Sequence, residues 1–351
     1  MSTRTSFPTR QLGRSDMFIT RIGVGAWAMG GNAWAIGWGP QDDGDSIAAI
    51  RLAVDRGINW IDTAAVYGLG HAEEVVGRAL AQMSPGDRPY VFTKCGLTWS
   101  PDQPRATPRR NGAPASIRRE IEGSLQRLGV ERIDLYQMHW PAGDGTPLEA
   151  YWQELLDLKQ EGKVRAVGLS NHNLAQLQDA ETLGHVDSLQ PPFSAIQRGA
   201  ANDLIPWCAQ NGTGVIVYSP MQSGLLSGAF SAARAQALGA DDWRSRNAEF
   251  QAPNLARNLA LAEALKPIAE RHGTTQAAVA IAWTLAWPGV TGAIVGMRNA
   301  AQVDGVLGAA ELELDSDDMA RIADAIELTG AGAGPLRPLD DSGALPVNLL
   351  R

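Results

Sequence analysis

The chain of 351 residues is poor in cysteine, in excess basic charge and in long apolar segments. Its two cysteines are too few for a disulfide framework or a four-thiolate zinc site. The 30 basic residues are outnumbered by 38 acidic ones and are scattered, so no nucleic-acid partner is expected. No stretch approaches the roughly 20 apolar residues of a membrane span, and the polar N-terminus lacks the apolar core of a secretory signal. These absences predict a cytoplasmic protein, monomeric or weakly oligomeric, without a membrane partner.

Histidine is also scarce, and its spacing bears on metal binding. None of the five histidines falls in an H-E-x-x-H or similar ligand spacing; they are His71, His139, His172, His185 and His272. We therefore predict a protein without a catalytic metal.

Short apolar runs rich in β-branched residues alternate with longer amphipathic stretches. The eight predicted strands cover residues 19–26, 58–62, 89–94, 133–139, 163–170, 187–190, 214–219 and 292–296. Near-continuous apolar strands separated by helices indicate a parallel sheet buried on both faces. Eight such units predict an α/β fold, a (β/α)8 TIM barrel. We expect one domain over residues 1–330 with a short N-terminal β-hairpin around 13–16, long active-site loops at 95–114 and 219–253, and an irregular Gly/Pro-rich tail over 331–351.

Three local motifs are typical of other enzyme classes. Gly23–Ala28 fits the G-x-G-x-x-G/A pattern of a Rossmann site, but the chain continues into Met29-Gly30-Gly31, which is a poor helix start. Tyr90 and Lys94 have the Tyr-x-x-x-Lys spacing of short-chain dehydrogenases, yet on a strand they would stand about 13 Å apart at ~3.3 Å per residue. Gly168–His172 begins like a nucleophile elbow and lacks its closing glycine. A Rossmann dehydrogenase remains the alternative enzyme class.

Polar groups stand at nearly every predicted strand exit, where barrel enzymes place their active sites. Tyr67, five residues beyond Asp62, offers a proton donor for a developing alkoxide, but an ordinary tyrosine has a pKa of about 10. An ammonium at Lys94, held by Asp62, would lower the pKa of Tyr67. A neutral imidazole at His139 could donate a hydrogen bond to a carbonyl oxygen. The remaining exits carry Ser170-Asn171, Gln190, Tyr218-Ser219 and Gly296.

Several segments resemble the aldo-keto reductase superfamily, bacterial type, in the family's order from about residue 10 to residue 328. They are INWIDTAAVYGLGHAEEVVGRAL, VFTK, IDLYQMHWP, KVRAVGLSN, VIVYSPMQSGLLSG and AIVGMRNAAQV. The resemblance implies a metal-independent NADP-dependent oxidoreductase that transfers hydride between NADP(H) and an aldehyde, ketone or sugar, or the corresponding alcohol. It also implies that Tyr67 is the general acid/base and that Asp62, Lys94 and His139 are its catalytic partners.

The resemblance further implies a cofactor site with NADPH preferred over NADH. Ser170, Asn171 and Gln190 would bind the nicotinamide carboxamide, and Gly296, Arg298 and Gln302 the adenosine 2′-phosphate and adenine. Tyr218 would stack on the nicotinamide ring and the backbone of 219–225 would wrap the pyrophosphate. The other predicted cofactor contacts are Ala26, Trp27, Asp62, Ser219, Pro220, Met221, Ser223 and Leu225. Two positions depart from the family pattern: Val306 stands where many members have Asn, and Ala229 where many have Lys. Both changes would weaken cofactor binding, and Arg234, Arg244 or Arg246 could compensate for them.

The tryptophans divide into two predicted groups. Those near strand exits predict an aromatic-walled substrate pocket, formed by Trp27, Trp34, Trp38, Trp99 and Trp140. The predicted core tryptophans are Trp60, Trp152, Trp283 and Trp287. Sugars, aldehydes, ketosteroid-like terpenoids and quinones all remain open as substrates. A channel-associated regulatory subunit, a role of some barrels that resemble this family, is the non-enzymatic alternative.

Overall fold

A computed structural model describes residues 7–338. The strands in this part of the chain are β1 (Thr9–Gln11), β2 (Phe18–Thr20), β3 (Ile22–Gly25), β4 (Trp60–Asp62), β5 (Tyr90–Cys95), β6 (Leu97–Thr98), β7 (Arg109–Arg110), β8 (Ile133–Met138), β9 (Val164–Ser170), β10 (Ser188–Gln190), β11 (Gly214–Val217) and β12 (Val290–Gly296). Eight of them form a closed parallel barrel in the order β3, β4, β5, β8, β9, β10, β11, β12 and back to β3. The predicted (β/α)8 fold and its eight strands are confirmed.

Helices lie between the barrel strands and pack around them. They are α1 (Asp43–Asp55), α2 (His71–Leu80), α3 (Pro114–Leu128), α4 (Leu148–Gln160), α5 (Leu174–Leu183), α6 (Leu204–Asn211), α7 (Ala232–Gln236), α8 (Asn254–Ala264), α9 (Lys266–Arg271), α10 (Gln276–Leu285), α11 (Ala300–Leu307) and α12 (Ser316–Thr329). None of these helices is long and apolar enough to cross a membrane.

The main core lies between the barrel and its helices. Trp152, Trp283 and Trp287 are buried there, as the sequence predicts. Residues 277–285 of α10 are buried throughout, which matches their nearly unbroken apolar sequence. Each large apolar side chain buried in this way stabilises the fold by about 1.5–3 kcal/mol.

The N-terminal hairpin is confirmed, and it closes the floor of the barrel. β1 and β2 pair antiparallel, and Leu12, Met17 and Ile19 pack against the side chains that fill the barrel interior. The sequence predicts one strand over residues 19–26, but the structure divides it at Arg21. Residues before this point pair with β1, and residues after it pair with β4 and β12.

Trp60 fills the lower part of the barrel and explains the first glycine of the Rossmann-like run. Its indole N–H donates to the Thr20 carbonyl oxygen at 2.8 Å. A Cβ added to Gly23 would lie 2.2 Å from the indole ring, so only glycine fits beneath this side chain. Gly23 lies inside β3, and the chain after it forms a short 3₁₀ turn at Trp27–Gly30. The run therefore packs the barrel and opens no phosphate-binding helix.

The two long loops carry local structure. Residues 95–114 include the antiparallel pair β6–β7, and residues 219–253 include α7 and several 3₁₀ turns. Residues 331–338 form no helix or strand, and Arg198 holds this segment by donating its backbone N–H to the Ala333 carbonyl oxygen at 2.9 Å. The rest of the predicted tail, 339–351, and residues 1–6 lie outside the described residues. The single-domain boundary at 330 stays a prediction.

Candidate active site

A cavity of about 740 Å³ opens at the carboxyl ends of the barrel strands. Most of the residues predicted from the strand exits line it. They are Ala26, Trp27, Trp34, Trp38, Asp62, Tyr67, His139, Trp140, Ser170, Asn171, Gln190, Tyr218, Ser219, Pro220, Met221, Ser223, Gly296, Arg298 and Gln302. Three predicted residues do not form its wall: Lys94 lies beneath Asp62 and Tyr67, Leu225 is buried in the core, and Trp99 packs in a cluster with Trp34 and Val66.

Lys94 and Asp62 lie on the neighbouring strands β5 and β4 and form a buried ion pair. Lys94 Nζ donates to Asp62 Oδ1 at 2.6 Å and to the Thr63 carbonyl oxygen at 2.9 Å. The other carboxylate oxygen of Asp62 accepts from Gln190 Nε2 at 2.9 Å. Tyr67 is the third partner of the ammonium, with its hydroxyl 3.4 Å from Nζ. Asp62, Lys94 and Tyr67 are therefore in one hydrogen-bonded group, and His139 lies next to it.

The pKa of Tyr67 differs from the expectation. The sequence predicts that Lys94 lowers it, but burial raises the pKa of Tyr67 well above its ordinary value, and the charge of Asp62 adds to the rise. Burial is the larger cause, and Asp62, 2.6 Å from Lys94, offsets part of the attraction that the ammonium exerts on a tyrosinate. Tyr67 therefore keeps its proton at neutral pH and is a donor in this state.

Burial acts on both members of the ion pair as well. It raises the pKa of Asp62 and lowers the pKa of Lys94, and the attraction between the two charges opposes each shift. Removing either partner would leave the other as an isolated buried charge, which is strongly unfavourable.

His139 presents a neutral imidazole to the cavity, as the sequence predicts. Burial lowers the pKa of His139 well below its ordinary value, and the charge of Lys94 lowers it further. The ring lies nearly perpendicular to that of Tyr67, with 5.6 Å between ring centroids. No group among residues 7–338 forms a hydrogen bond with a ring nitrogen of His139, so a bound carbonyl oxygen could accept one.

The residues predicted to bind a carboxamide form a preorganised wall beside this group. Ser170 Oγ donates to the Gln190 carbonyl oxygen at 2.9 Å, and Asn171 Nδ2 donates to the His139 carbonyl oxygen at 2.9 Å. Asn171 Oδ1 accepts from the Tyr218 hydroxyl at 2.8 Å. Asn171 has a positive φ of 62°, a conformation that costs about 1–3 kcal/mol outside glycine unless its surroundings hold it. These bonds supply that support.

The segment after β11 has the backbone expected of a ligand-binding loop. Ser219, Gln222 and Ser223 have positive φ angles of 57°, 45° and 54°. Gly224 and Gly296 line the cavity, and a methyl group on either would meet no atom within 4 Å. A large ligand can therefore approach the backbone closely here. The strained loop, the open glycines and the carboxamide wall fit an elongated dinucleotide.

Arg298 lies at the opposite end of this wall, and its side chain is already oriented. Its guanidinium donates to Gln41 Oε1 at 2.6 Å and to the Pro40 carbonyl oxygen at 2.5 Å, and its backbone N–H donates to Gln302 Oε1 at 2.7 Å. Burial lowers the pKa of Arg298. The positive charges of Arg244 and Arg234 lower it further, against the opposing effect of Asp242. An anion bound among these arginines would relieve their repulsion.

The sequence predicts only part of the cavity wall that comes from residues 230–250. Trp243 stacks on Trp27 with ring centroids 5.3 Å apart, and Arg244 lies 4.8 Å from the centre of the Trp38 ring while it pairs with Asp242. The length of the loop is a signal that it shapes the site, but nothing in its composition indicates which side chains face inward. Of the cavity-lining residues in this loop, Arg234 and Arg244 are named from the sequence as possible substitutes for the lysine absent at Ala229, whereas Phe230 and Trp243 are not.

The other motifs have structural roles. Tyr90 lies beneath the Arg165 guanidinium, with 5.3 Å between the guanidinium carbon and the ring centre, and packs with the barrel interior. His172 is buried between the Tyr151 hydroxyl at 2.9 Å and the Ser170 carbonyl oxygen at 2.8 Å. In residues 7–338, no group of three or more His, Cys, Asp or Glu side chains is placed to hold a metal ion.

Comparisons with known proteins agree with this geometry. The family model described as "Aldo/keto reductase family" matches residues 21–327. An aldo-keto reductase of Bacillus subtilis (strain 168) is 33% identical over 88% of this chain and 91% of its own length. A protein of Escherichia coli (strain K12) named NADH-specific methylglyoxal reductase is 34% identical over 90% of this chain and 98% of its own. The solved structure of a glycerol dehydrogenase from Gluconobacter oxydans is 36% identical, covers 93% of this chain and 98% of its own, and superposes with a TM-score of 0.83.

The chain belongs to the aldo/keto reductase family. It is an oxidoreductase for carbonyl compounds and uses a nicotinamide cofactor, as members of this family do.

Proposed function

We propose that this protein reduces small aldehydes and ketones with NADPH and that Tyr67 is its general acid. The observation that carries the proposal is the position of the Tyr67 hydroxyl, 3.4 Å from the Lys94 ammonium on the wall of the cavity and beside the neutral ring of His139. A protonated hydroxyl and a neutral imidazole are both donors, and a substrate carbonyl oxygen between them would accept from both.

Each of the four side chains has a distinct task in this proposal. A nicotinamide held by Ser170, Asn171 and Gln190 would supply hydride to the carbonyl carbon. His139 and Tyr67 hold the carbonyl oxygen, and Tyr67 transfers its proton to this oxygen as negative charge develops there. The resulting tyrosinate is stabilised by Lys94, whose own charge is maintained by Asp62. In the reverse direction, tyrosinate accepts the proton of an alcohol.

The cofactor residues are proposed on the same basis. Ser170, Asn171 and Gln190 would bind the carboxamide, Tyr218 would stack on the nicotinamide ring, and the loop 219–225 would surround the pyrophosphate. Arg298, with Gln302, would hold the adenosine end.

NADPH is favoured over NADH because three arginines, Arg298, Arg244 and Arg234, line the cavity. A guanidinium group binds two oxygens of a phosphate with its forked donors, and only NADPH carries the 2′-phosphate. The relative named NADH-specific makes NADH the competing choice for this chain.

The test is turnover with each cofactor separately. Purified protein is mixed with NADPH or NADH and with methylglyoxal, glyceraldehyde, benzaldehyde and a ketone, and the loss of nicotinamide absorbance is followed. We expect reduction with a higher kcat/KM for NADPH. Faster turnover with NADH would overturn the cofactor choice alone, whereas binding of NADPH without turnover of any carbonyl would favour the regulatory-subunit alternative.

The cellular and assembly predictions are also kept as proposals. We infer a cytoplasmic enzyme that is a monomer or weak oligomer in solution. Sedimentation over a range of protein concentrations checks the second point, since a weak oligomer dissociates on dilution.

A further inference from the structure

Arg110 occupies a position that the proposed chemistry does not use. It belongs to β7, where it pairs with Leu97 of β6, and its exposed side chain reaches the mouth of the cavity. Its guanidinium carbon lies 4.4 Å from the centre of the Trp140 ring. Trp140 follows His139 in the chain, so the cation lies on the substrate side of the proposed active site.

The backbone around Arg110 is held from two directions. Gly143 N–H donates to the Arg110 carbonyl oxygen at 3.3 Å, and Asn111 N–H donates to the Gly96 oxygen at 3.0 Å. Asp144 accepts from Gly112 N–H at 3.2 Å. The loop after β5 and the loop after β8 are therefore joined at this point, which fixes where the Arg110 side chain projects.

No acidic side chain in the described part of the chain compensates the charge of Arg110. Among residues 7–338 it forms no ion pair and no side-chain hydrogen bond. The face of an aromatic ring attracts a guanidinium but leaves its in-plane N–H donors free. Within residues 7–338, Asp62 is the only acidic side chain that lines the cavity, and it is already engaged with Lys94 and Gln190.

Arg110 also lies far from the arginines proposed for the cofactor. Arg298 follows β12, and Trp140 follows β8; these two strands are four places apart in either direction around the eight-stranded barrel. Their carboxyl ends are therefore on opposite sides of the cavity. A phosphate held by Arg298 could not be shared with Arg110.

We propose that Arg110 is an anion subsite for the substrate, so that the preferred substrates are carbonyl compounds with a carboxylate or phosphate group at the end away from the carbonyl. The inference rests on the proposed function and adds the substrate class. Trp140 supplies an apolar surface for the part of the substrate between its two ends, and the guanidinium fork binds two oxygens of the anion.

The experiment compares substrates that match in size and differ in charge. One pair is 4-formylbenzoate and its methyl ester; the other is glyceraldehyde 3-phosphate and glyceraldehyde. For wild-type protein we expect a higher kcat/KM for the anionic member of at least one pair, which also distinguishes carboxylate from phosphate. In Arg110→Gln, the ratio of kcat/KM for the anionic over the neutral member should fall about ten- to a hundredfold, mainly through KM, as for the loss of one charged hydrogen-bonded contact.

Arg109→Gln is the matched control because Arg109 is the neighbouring exposed arginine of β7 and does not line the cavity. It removes the same charge from the protein and should leave the ratio as it is in the wild type. An equal fall in both variants would indicate a general electrostatic effect and overturn the subsite, as would a wild type that prefers the neutral member of both pairs. Equal kcat/KM values for the anionic and neutral members of both pairs would overturn this inference and leave the proposed function intact. Absence of turnover for all four substrates would overturn both.

Discussion

Lys94 and Asp62 form an ion pair of 2.6 Å in which the lysine side chain is 0% and the aspartate side chain 3% exposed. This buried ion pair holds the ammonium next to the Tyr67 hydroxyl. It also makes each partner dependent on the other, because neither charge can reach water.

The free energy of unfolding should fall more when one partner of this ion pair is removed than when both are replaced together. Lys94→Met should lower the free energy of unfolding by about 3–5 kcal/mol, since it leaves the Asp62 carboxylate buried and uncompensated. The double variant Lys94→Met/Asp62→Asn should recover part of this loss. Urea unfolding measures both, with Arg321→Met as a control that breaks an exposed pair with Asp317 and costs about 0–1 kcal/mol. A double variant less stable than Lys94→Met would contradict the argument.

Tyr67→Phe should abolish carbonyl reduction and leave NADPH affinity nearly intact, because the hydroxyl gives its proton only in the transition state. Steady-state kinetics and a dissociation constant from tryptophan fluorescence check the two halves separately. If the variant keeps more than about a tenth of the wild-type kcat, equivalent to roughly 1.4 kcal/mol of barrier, Tyr67 is not the acid.

Acid should destabilise the fold through His172. Burial lowers the pKa of His172 to about 4, whereas an unfolded histidine has a pKa of about 6.5. Between these values the unfolded chain binds a proton that the folded chain does not, so the free energy of unfolding falls as the pH is lowered through this window. The loss from this residue is at most about 3 kcal/mol.

Urea unfolding between pH 7 and pH 4.5 tests whether His172 causes this loss of stability in acid. His172→Phe should be less stable at pH 7, because the buried Tyr151 hydroxyl loses its acceptor, but its stability should depend less on pH. Tyr151→Phe removes the same hydrogen bond and keeps the histidine, so it should retain the wild-type pH dependence. If the two variants have the same slope against pH, the acid sensitivity has another source, such as His139.

Arg298→Ala should weaken NADPH about ten- to a hundredfold and NADH much less, because a charge-assisted phosphate contact is worth about 1.5–3 kcal/mol. Dissociation constants from tryptophan fluorescence give both values. Arg257→Ala, on the exposed face of α8, is the charge-matched control. Equal losses for the two cofactors would mean that Arg298 holds the shared part of the dinucleotide or only orders Gln41 and Pro40.

What the sequence predicts well depends on local pattern. Asp62, Lys94 and His139 each follow or end an apolar run, and the geometry of a parallel barrel brings such positions to one end. The predicted direction of the Tyr67 pKa shift was wrong because burial at the cavity wall, the larger cause, and the nearby charge of Asp62 follow from the tertiary structure and not from a local pattern. Trp243 and Arg110 lie in the long segments after β11 and β5, and each contacts an aromatic ring from another part of the chain, Trp27 or Trp140. No periodicity in such loops indicates which side chains face the cavity.

Trp60 and Gly23 at the barrel floor restrict which substitutions each position can accept in related sequences. Because the indole occupies the space of any side chain at position 23, the two positions can change only together, with a smaller residue at 60 accompanying any larger one at 23. Across relatives, we expect glycine at 23 wherever an indole stands at 60. Gly292, whose added Cβ would lie 3.0 Å from the same indole, should vary with them as a third member. Grafting a new substrate loop onto the open end of the barrel leaves this set untouched, so loop exchange and floor repacking can be engineered independently.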